Sequence, residues 1–181
     1  MGLVEAKMKI LVRLWEEGQP MRSKDVAQKL GLGVAATTMH LLGLKKTGHV
    51  STPKHGYYAI TDLGKETIGL PKIDKILATK ILSRVSKDKA FHFYTGVHQY
   101  TQVFADSLAD FCDKVQKIGV KSVEFHVPRK DLENWVQSLG DIELAKKLGL
   151  IRDMHLHGED LRTRVYEAVK NRLEEFQHIR G

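Results

Sequence analysis

The sequence predicts a mainly α fold in two parts, a helical head closed by a small β-hairpin and a helical second domain, joined by a connecting helix. Three observations predict it. Residues 3–46 carry apolar residues at helical spacing in three runs separated by glycines. The stretch GHVSTPKHGYYAIT, residues 48–61, breaks that rhythm with two short extended runs, HVST and YYAI, around PKHG. From residue 71 onward helical patterns resume. The expected parts are therefore a head over 1–70, a connecting helix over 71–89 and a helical domain over 90–181.

In the first run Leu3, Val4, Met8, Leu11, Val12 and Trp15 form one apolar stripe, and Gly18 supplies the stop. Ser23 reads as the N-cap of a second helix, with Val26, Ala27 and Leu30 inward and Gly31 ending it. The third helix covers about 34–46, with Val34, Thr37, Leu41 and Leu44 on one face. Gly48 closes it. In the hairpin, Gly56 permits a positive φ at the tip. Thr61 caps a short helix beyond it. Pro71 suits the first turn of the connecting helix, whose apolar stripe is Ile73, Ile76, Leu77, Ile81 and Val85. That stripe packs either against a symmetry mate, giving a homodimer, or against its own chain.

In the second domain, SLADFCDKVQKIG reads as a helix capped by Ser107 or Asp106, with Leu108, Phe111, Cys112, Val115 and Ile118 inward. SVEFHVPRKDLENWVQSLG reads as two helices broken at Pro128, or with Val123–Val127 as a buried strand. Helices over 141–150 and 158–178 complete it.

Composition excludes several classes. Apolar residues make up 42% of the 181, enough for a packed core. No window approaches the ~18 uncharged apolar residues of a membrane span, and the charged N-terminus reads as an amphipathic helix and not as a signal peptide. Cys112 is the single cysteine, so there is no intramolecular disulfide or Cys-rich zinc module, and a reducing, cytoplasmic setting is expected. The net charge of +7 is unevenly placed. Residues 1–70 hold ten Lys/Arg against six Asp/Glu, residues 71–90 six against two, and residues 91–181 thirteen against fourteen. A basic front portion points to a polyanionic partner.

The second and third helices, joined by GLG, have helix-turn-helix spacing. Through KDVAQKLGLG, LLGLKKTGHV and GYYAITDLG, residues 1–70 resemble the winged helix-turn-helix fold of bacterial and archaeal transcription regulators. Leu41, Leu44, Gly48 and Val50 stand where that family closes its third helix, and YYAIT-x-x-G resembles its second wing strand running into a last helix. The resemblance implies binding to double-stranded DNA, with the third helix in the major groove and the hairpin as a wing. The second half resembles an archaeal C-terminal domain of unknown function through FHFYTG, SVEFHVPRKDLENWV and LGDIELAKKLGLI, which implies architecture and no activity.

The outward positions of the third helix are Ala35, Thr38, Met39, Leu42 and Lys46, with His40 and Lys45 at the flanks. Ala35 and Met39 suit a thymine methyl, Thr38 a base or phosphate, and His40, Lys45 and Lys46 phosphates. Arg22, Ser23 and Lys24 suit phosphate positioning at the start of the second helix, and Lys54 and His55 at the wing tip suit the backbone or minor groove. The usual base readers Arg, Lys, Asn and Gln are missing from the outward positions of the first two turns. Phosphate- or shape-dominated binding is therefore expected. The competing reading is an adaptor that uses the same head against a protein partner.

Elsewhere the chemistry is sparse. MHLHGED, 154–160, sets His155 and His157 beside Glu159 and Asp160, but without a metal-ligand spacing; the carboxylates read as the acidic first turn of the last helix. His126, near Arg129, Asp131 and Glu133, reads as a structural histidine paired to a carboxylate, with pH or ligand sensing as the alternative. Phe91, Phe93, Tyr94 and Tyr100 read as core, or as the lining of a pocket for a small apolar or sugar-like effector. No phosphate loop, nucleophile elbow or catalytic pair is present, so no enzyme activity, cofactor or metal is expected. The expected function is a dimeric DNA-binding regulator whose second domain serves oligomerisation or effector input.

Overall fold

The structure, a computed structural model, describes residues 3–181, with Leu3 described by its backbone alone. The chain divides into two units, residues 1–72 and 73–181.

The first unit begins with α1 (Leu3–Glu17). Its buried face is Ala6, Ile10, Leu11, Leu14 and Trp15. The expected stripe is rotated from this: Val4 and Met8 are exposed, and the Leu3 side chain lies outside the described residues. The segment carries apolar residues on more than one face, so spacing alone did not select the stripe through Ile10 and Leu14. Gly18, at φ 67°, ends the helix. A strand the sequence did not announce, β1 (Met21–Arg22), comes next, then α2 (Ser23–Leu30). Arg22 holds the N-cap position and Ser23 is the first helical residue, so Ser23 is not the expected cap. Gly31 ends α2 in the left-handed region at φ 64°, as its position suggested.

In α3 (Val34–Lys46), Thr37, Leu41 and Leu44 are buried, but Val34 is 51% exposed. Val34 is the first residue of the helix. The hairpin follows as β2 (Val50–Lys54) and β3 (Tyr57–Ile60), turning at His55-Gly56 with Gly56 at φ 76°. The sheet order is β1-β3-β2, antiparallel throughout. Pro53 lies on the edge strand, where a missing N–H leaves the central ladder intact.

The last element, α4 (Asp62–Thr67), is bolted to the end of α3. The Thr61 N–H donates to the His49 carbonyl (3.1 Å), its hydroxyl donates to the Gly48 carbonyl (2.7 Å), and that hydroxyl accepts from the Gly64 N–H (3.2 Å). A Cβ on Gly64 would stand 2.3 Å from the His49 oxygen. This contact explains the glycine in the T-x-x-G ending. The unit's core is Ile10, Leu11, Leu14, Met21, Val26, Leu41, Leu44, Val50 and Tyr58.

The second unit holds α5 (Lys75–Ile81), a 3-10 turn at 87–89, and a hairpin of β4 (Phe91–Tyr94) and β5 (Tyr100–Ala105). Five helices complete it: α6 (Leu108–Lys117), α7 (Val120–His126), α8 (Asp131–Leu139), α9 (Ile142–Asp153) and α10 (Gly158–Arg180). The second unit is thus not purely helical. Phe91 and Phe93 point into the core and His92 and Tyr94 are half-buried, a period of two over only four residues. Val123–His126 is helical with Val127 as the C-cap, which excludes the strand alternative. No described helix is long and apolar enough to cross a membrane.

The connecting helix is shorter than 71–89 and belongs to this unit. Ile81 is fully buried in its core, and Ile73, Leu77 and Val85 pack against that core. Only Ile76 of the five stripe residues is exposed, at 81%. Of the two expected packings, against a symmetry mate or against the chain itself, Ile73, Leu77, Ile81 and Val85 adopt the second. An apolar stripe shows that a helix packs, not on what.

One polar cluster lies inside the unit. Arg172 of α10 reaches Asp141 through Nε (2.9 Å) and Nη2 (3.0 Å), and Nη1 reaches Glu143 (2.8 Å) and Glu175 (2.5 Å). Asp141 is fully buried and also caps α9, its Oδ1 accepting from the Leu144 N–H at 3.0 Å. The guanidinium lies 4.6 Å from the Phe176 ring centroid.

Candidate functional site

The first unit gathers cations on two structures. On the sheet, Arg22 and Lys54 are the cross-strand partners of Tyr57, one from β1 and one from β2. The Arg22 Nε donates to the Tyr57 hydroxyl (2.9 Å), and its guanidinium carbon lies 4.9 Å from the ring centroid. The Lys54 ammonium lies 5.3 Å from the same centroid. Two charges thus share one aromatic platform across three strands, and Arg22 and Lys54 are both solvent-exposed. The sequence placed Arg22 at a helix start and Lys54 at a hairpin tip; the two-residue β1 that unites them is too short to show a period.

On α3, Ala35, Met39 and Lys46 are exposed, Met39 at 68%, with exposed Leu42 between them on the outer side. Lys45 is also exposed and His40 half-buried. The Thr38 hydroxyl donates to the Val34 carbonyl (2.9 Å), so its proton is used within the helix and its oxygen remains an acceptor. Lys24 and His55 are exposed and Ser23 is half-buried. Between Asp25 and Asp62 there is no Asp or Glu at all, a pattern legible in the sequence. All of α3 and the β2–β3 hairpin fall in that acid-free span. The acids on α1, by contrast, face cations: Glu5 with Lys9 (2.8 Å), Glu16 with Arg13 (3.1 Å), and Glu17 with Lys29 (2.6 Å).

The second unit contains a cavity of about 520 Å³ between the β4–β5 hairpin and the α7–α8 turn. Phe91, Tyr94, Val97, Phe125, Arg129 and Trp135 are among its walls, and His126 lies among them too. His126 is buried at the end of α7. Its Nε2 accepts the Tyr94 N–H (2.8 Å), which leaves the ring proton on Nδ1, donated to Asp131 Oδ2 (2.8 Å). A His–Asp pair of this kind has the form of a general base, but its outer nitrogen is occupied by a backbone amide. The imidazole ties β4 to α8. Glu133, the other nearby acid, pairs with Arg152 instead (2.6 Å).

Burial lowers the His126 pKa below its ordinary value, against the opposing pull of the Asp131 hydrogen bond and charge. The folded unit therefore binds this proton less readily than the unfolded chain does. Stability should be full above about pH 6.5 and fall as the pH drops below it, by at most about 1.4 kcal/mol per pH unit. Urea unfolding at pH 7.5 and 5.5, followed through Trp135 in a Trp15→Phe background, checks this. His126→Gln should be less stable at pH 7.5 and lack that pH-dependent increment.

The remaining candidates separate. His155 and His157 are exposed, Glu124 accepts the Gly158 N–H (2.8 Å), and Glu159 and Asp160 occupy the first turn of α10. Among the described residues no three His, Cys, Asp or Glu side chains are grouped to hold a metal ion. Cys112 is buried, and burial pushes its thiol up. Of the aromatic group, Phe91 and Phe93 are core, while Phe91 and Tyr94 also border the cavity.

A family profile matches residues 53–170, more than half of the chain. The chain belongs to DUF5752, a family of unknown function. The DUF5752 match opens at Pro53, on the first strand of the β2–β3 hairpin, and closes at Lys170 within α10. It therefore takes in the cavity and most of the second unit, and leaves out α1, α2 and α3. No curated protein and no solved structure matches the chain.

Proposed function

We propose that the protein binds double-stranded DNA through its first unit and acts as a transcriptional regulator. In this reading the unit is a winged helix-turn-helix, with α2 and α3 as the helix-turn-helix and β2–β3 as the wing. The observation that carries it is the run from Val26 to Thr61, which has no carboxylate and exposes Lys45, Lys46 and Lys54. A surface of that kind attracts a phosphate backbone at no cost in like-charge repulsion. Arg22, held against Tyr57, supplies a preorganised guanidinium for one more phosphate.

The outer side of α3 has no Arg, Asn or Gln among Ala35, Thr38, Met39 and Leu42. Contact with thymine methyls and sequence-dependent shape then carry what selectivity there is. Two copies acting together would offset a weak single reader. Since Ile73, Leu77, Ile81 and Val85 pack with the second unit's own core, a dimer would form through another surface. A cytoplasmic setting goes with this function.

Fluorescence anisotropy of a labelled duplex of about three helical turns tests the proposal. Binding is expected at 50 mM salt, weakening steeply toward 200 mM. Absence of any complex with random or selected duplexes at low salt would overturn it. The exposed apolar residues Ala35, Met39 and Leu42 favour a second reading, the protein-binding adaptor, and that result would leave it as the account of this face.

A further inference from the structure

We infer that the cavity beside His126 is a binding site for a small organic anion with a flat, unsaturated body. Its volume of about 520 Å³ falls within the ~300–1,000 Å³ typical of small-molecule sites. Four aromatic side chains, Phe91, Tyr94, Phe125 and Trp135, border it, and Phe91 and Trp135 are anchored in the core. The Trp135 indole N–H is already donated to the Lys89 carbonyl (3.0 Å), so that ring offers the cavity an apolar surface.

The anion specificity comes from Arg129. Its Nε is held by Asp131 Oδ2 (3.2 Å), and its guanidinium carbon lies 4.9 Å from the Phe125 ring centroid. These two contacts orient the group while its two Nη atoms make no hydrogen bond or ion pair among the described residues. A fork held in this way pairs with a carboxylate or sulfonate at little further ordering cost. Asp131, the one carboxylate in the lining, already serves both Arg129 and His126 through Oδ2.

The backbone carries an independent sign. Four non-glycine residues have positive φ among the described residues, and two of them sit here. His98 (φ 62°) lines the cavity in the hairpin loop, beside Val97, which is 66% exposed at the lip. Lys130 (φ 63°) stands between Arg129 and Asp131. Such conformations cost about 1 kcal/mol or more each and persist where a local geometry is required. Here they set the lip and the cationic edge of one cavity. All of the cavity's walls belong to the second unit, so its ligand is independent of what the first unit binds.

The probes are 8-anilinonaphthalene-1-sulfonate, naphthalene-1-acetate and the uncharged N-phenyl-1-naphthylamine, applied to the full chain. One saturable sulfonate site is expected, displaced by the acetate. Amide shifts in 15N spectra should centre on Tyr94, Val97, Arg129 and the Trp135 indole. Arg129→Gln, at an exposed position, should weaken both anions about tenfold or more and leave the neutral probe unchanged, while Arg164→Gln on α10 changes neither. Absence of saturable binding, equal sulfonate affinity in wild type and Arg129→Gln, or a parallel loss of the neutral probe each overturns the assignment.

Discussion

Arg172→Ala is expected to lower the unfolding free energy of the second unit by about 3–5 kcal/mol. The guanidinium is buried and serves three carboxylates, of which Asp141 is fully buried and Glu143 nearly so. Burial by itself would lower the Arg172 pKa, but hydrogen bonding and charge from Asp141, joined by Glu143 and Glu175, raise it above the ordinary value, so the group stays cationic at any working pH. Removing it strands carboxylates that have already lost their water. Adding Asp141→Asn and Glu143→Gln to the alanine variant should restore part of the loss, since neutral amides tolerate burial better than unpaired charges. Urea titration followed through Trp135 reads all three proteins. A deficit below about 1 kcal/mol would show that the cluster contributes little.

Replacing Lys45, Lys46 and Lys54 together by alanine should reduce duplex affinity by about two to three orders of magnitude at ~0.1 M salt. Each neutralised phosphate contributes about 0.9 to the slope of log affinity against log salt, so three lost contacts flatten it by about 2.7. The loss should be alike on unrelated sequences, because phosphates carry no sequence information. Removing the exposed second-unit cations Lys117, Lys121 and Lys146 lowers the net charge equally and should leave the slope nearly unchanged. Equal losses in both triple variants would mean that net charge, and not the α3 and hairpin surface, governs association.

What could be read in advance follows from the range of each interaction. The inner face of α3 from Thr37 onward, the glycine turns at 31 and 56 and the Thr61 cap are local patterns and were legible. His126 with Asp131 was legible because only four residues, 127–130, bridge the turn between α7 and α8. The rotation of α1 was not, since Ile10–Leu14 and Val4–Met8 are equally good apolar spacings. β1 and β4 were missed because two and four residues carry too little alternation to outweigh helical context. The Arg172 cluster joins residues about thirty positions apart, each an ordinary surface charge in its own window. Residues 73–85 showed the opposite difficulty, a strong stripe whose covering surface no local pattern identifies. The cationic row Arg22–Tyr57–Lys54 exists only through strand register.

The Thr61 junction has a mechanical meaning. Both ends of the β2–β3 hairpin are fastened there: the chain entering it through Gly48 and His49, the chain leaving it through Thr61 itself. Gly64 fills the remaining space so closely that the joint has no slack. The hairpin is therefore a cantilever, anchored at its root with its free end at His55-Gly56. A load applied at its free end, such as a bound polyanion would apply, would pass through Thr61 to the first turn of α4.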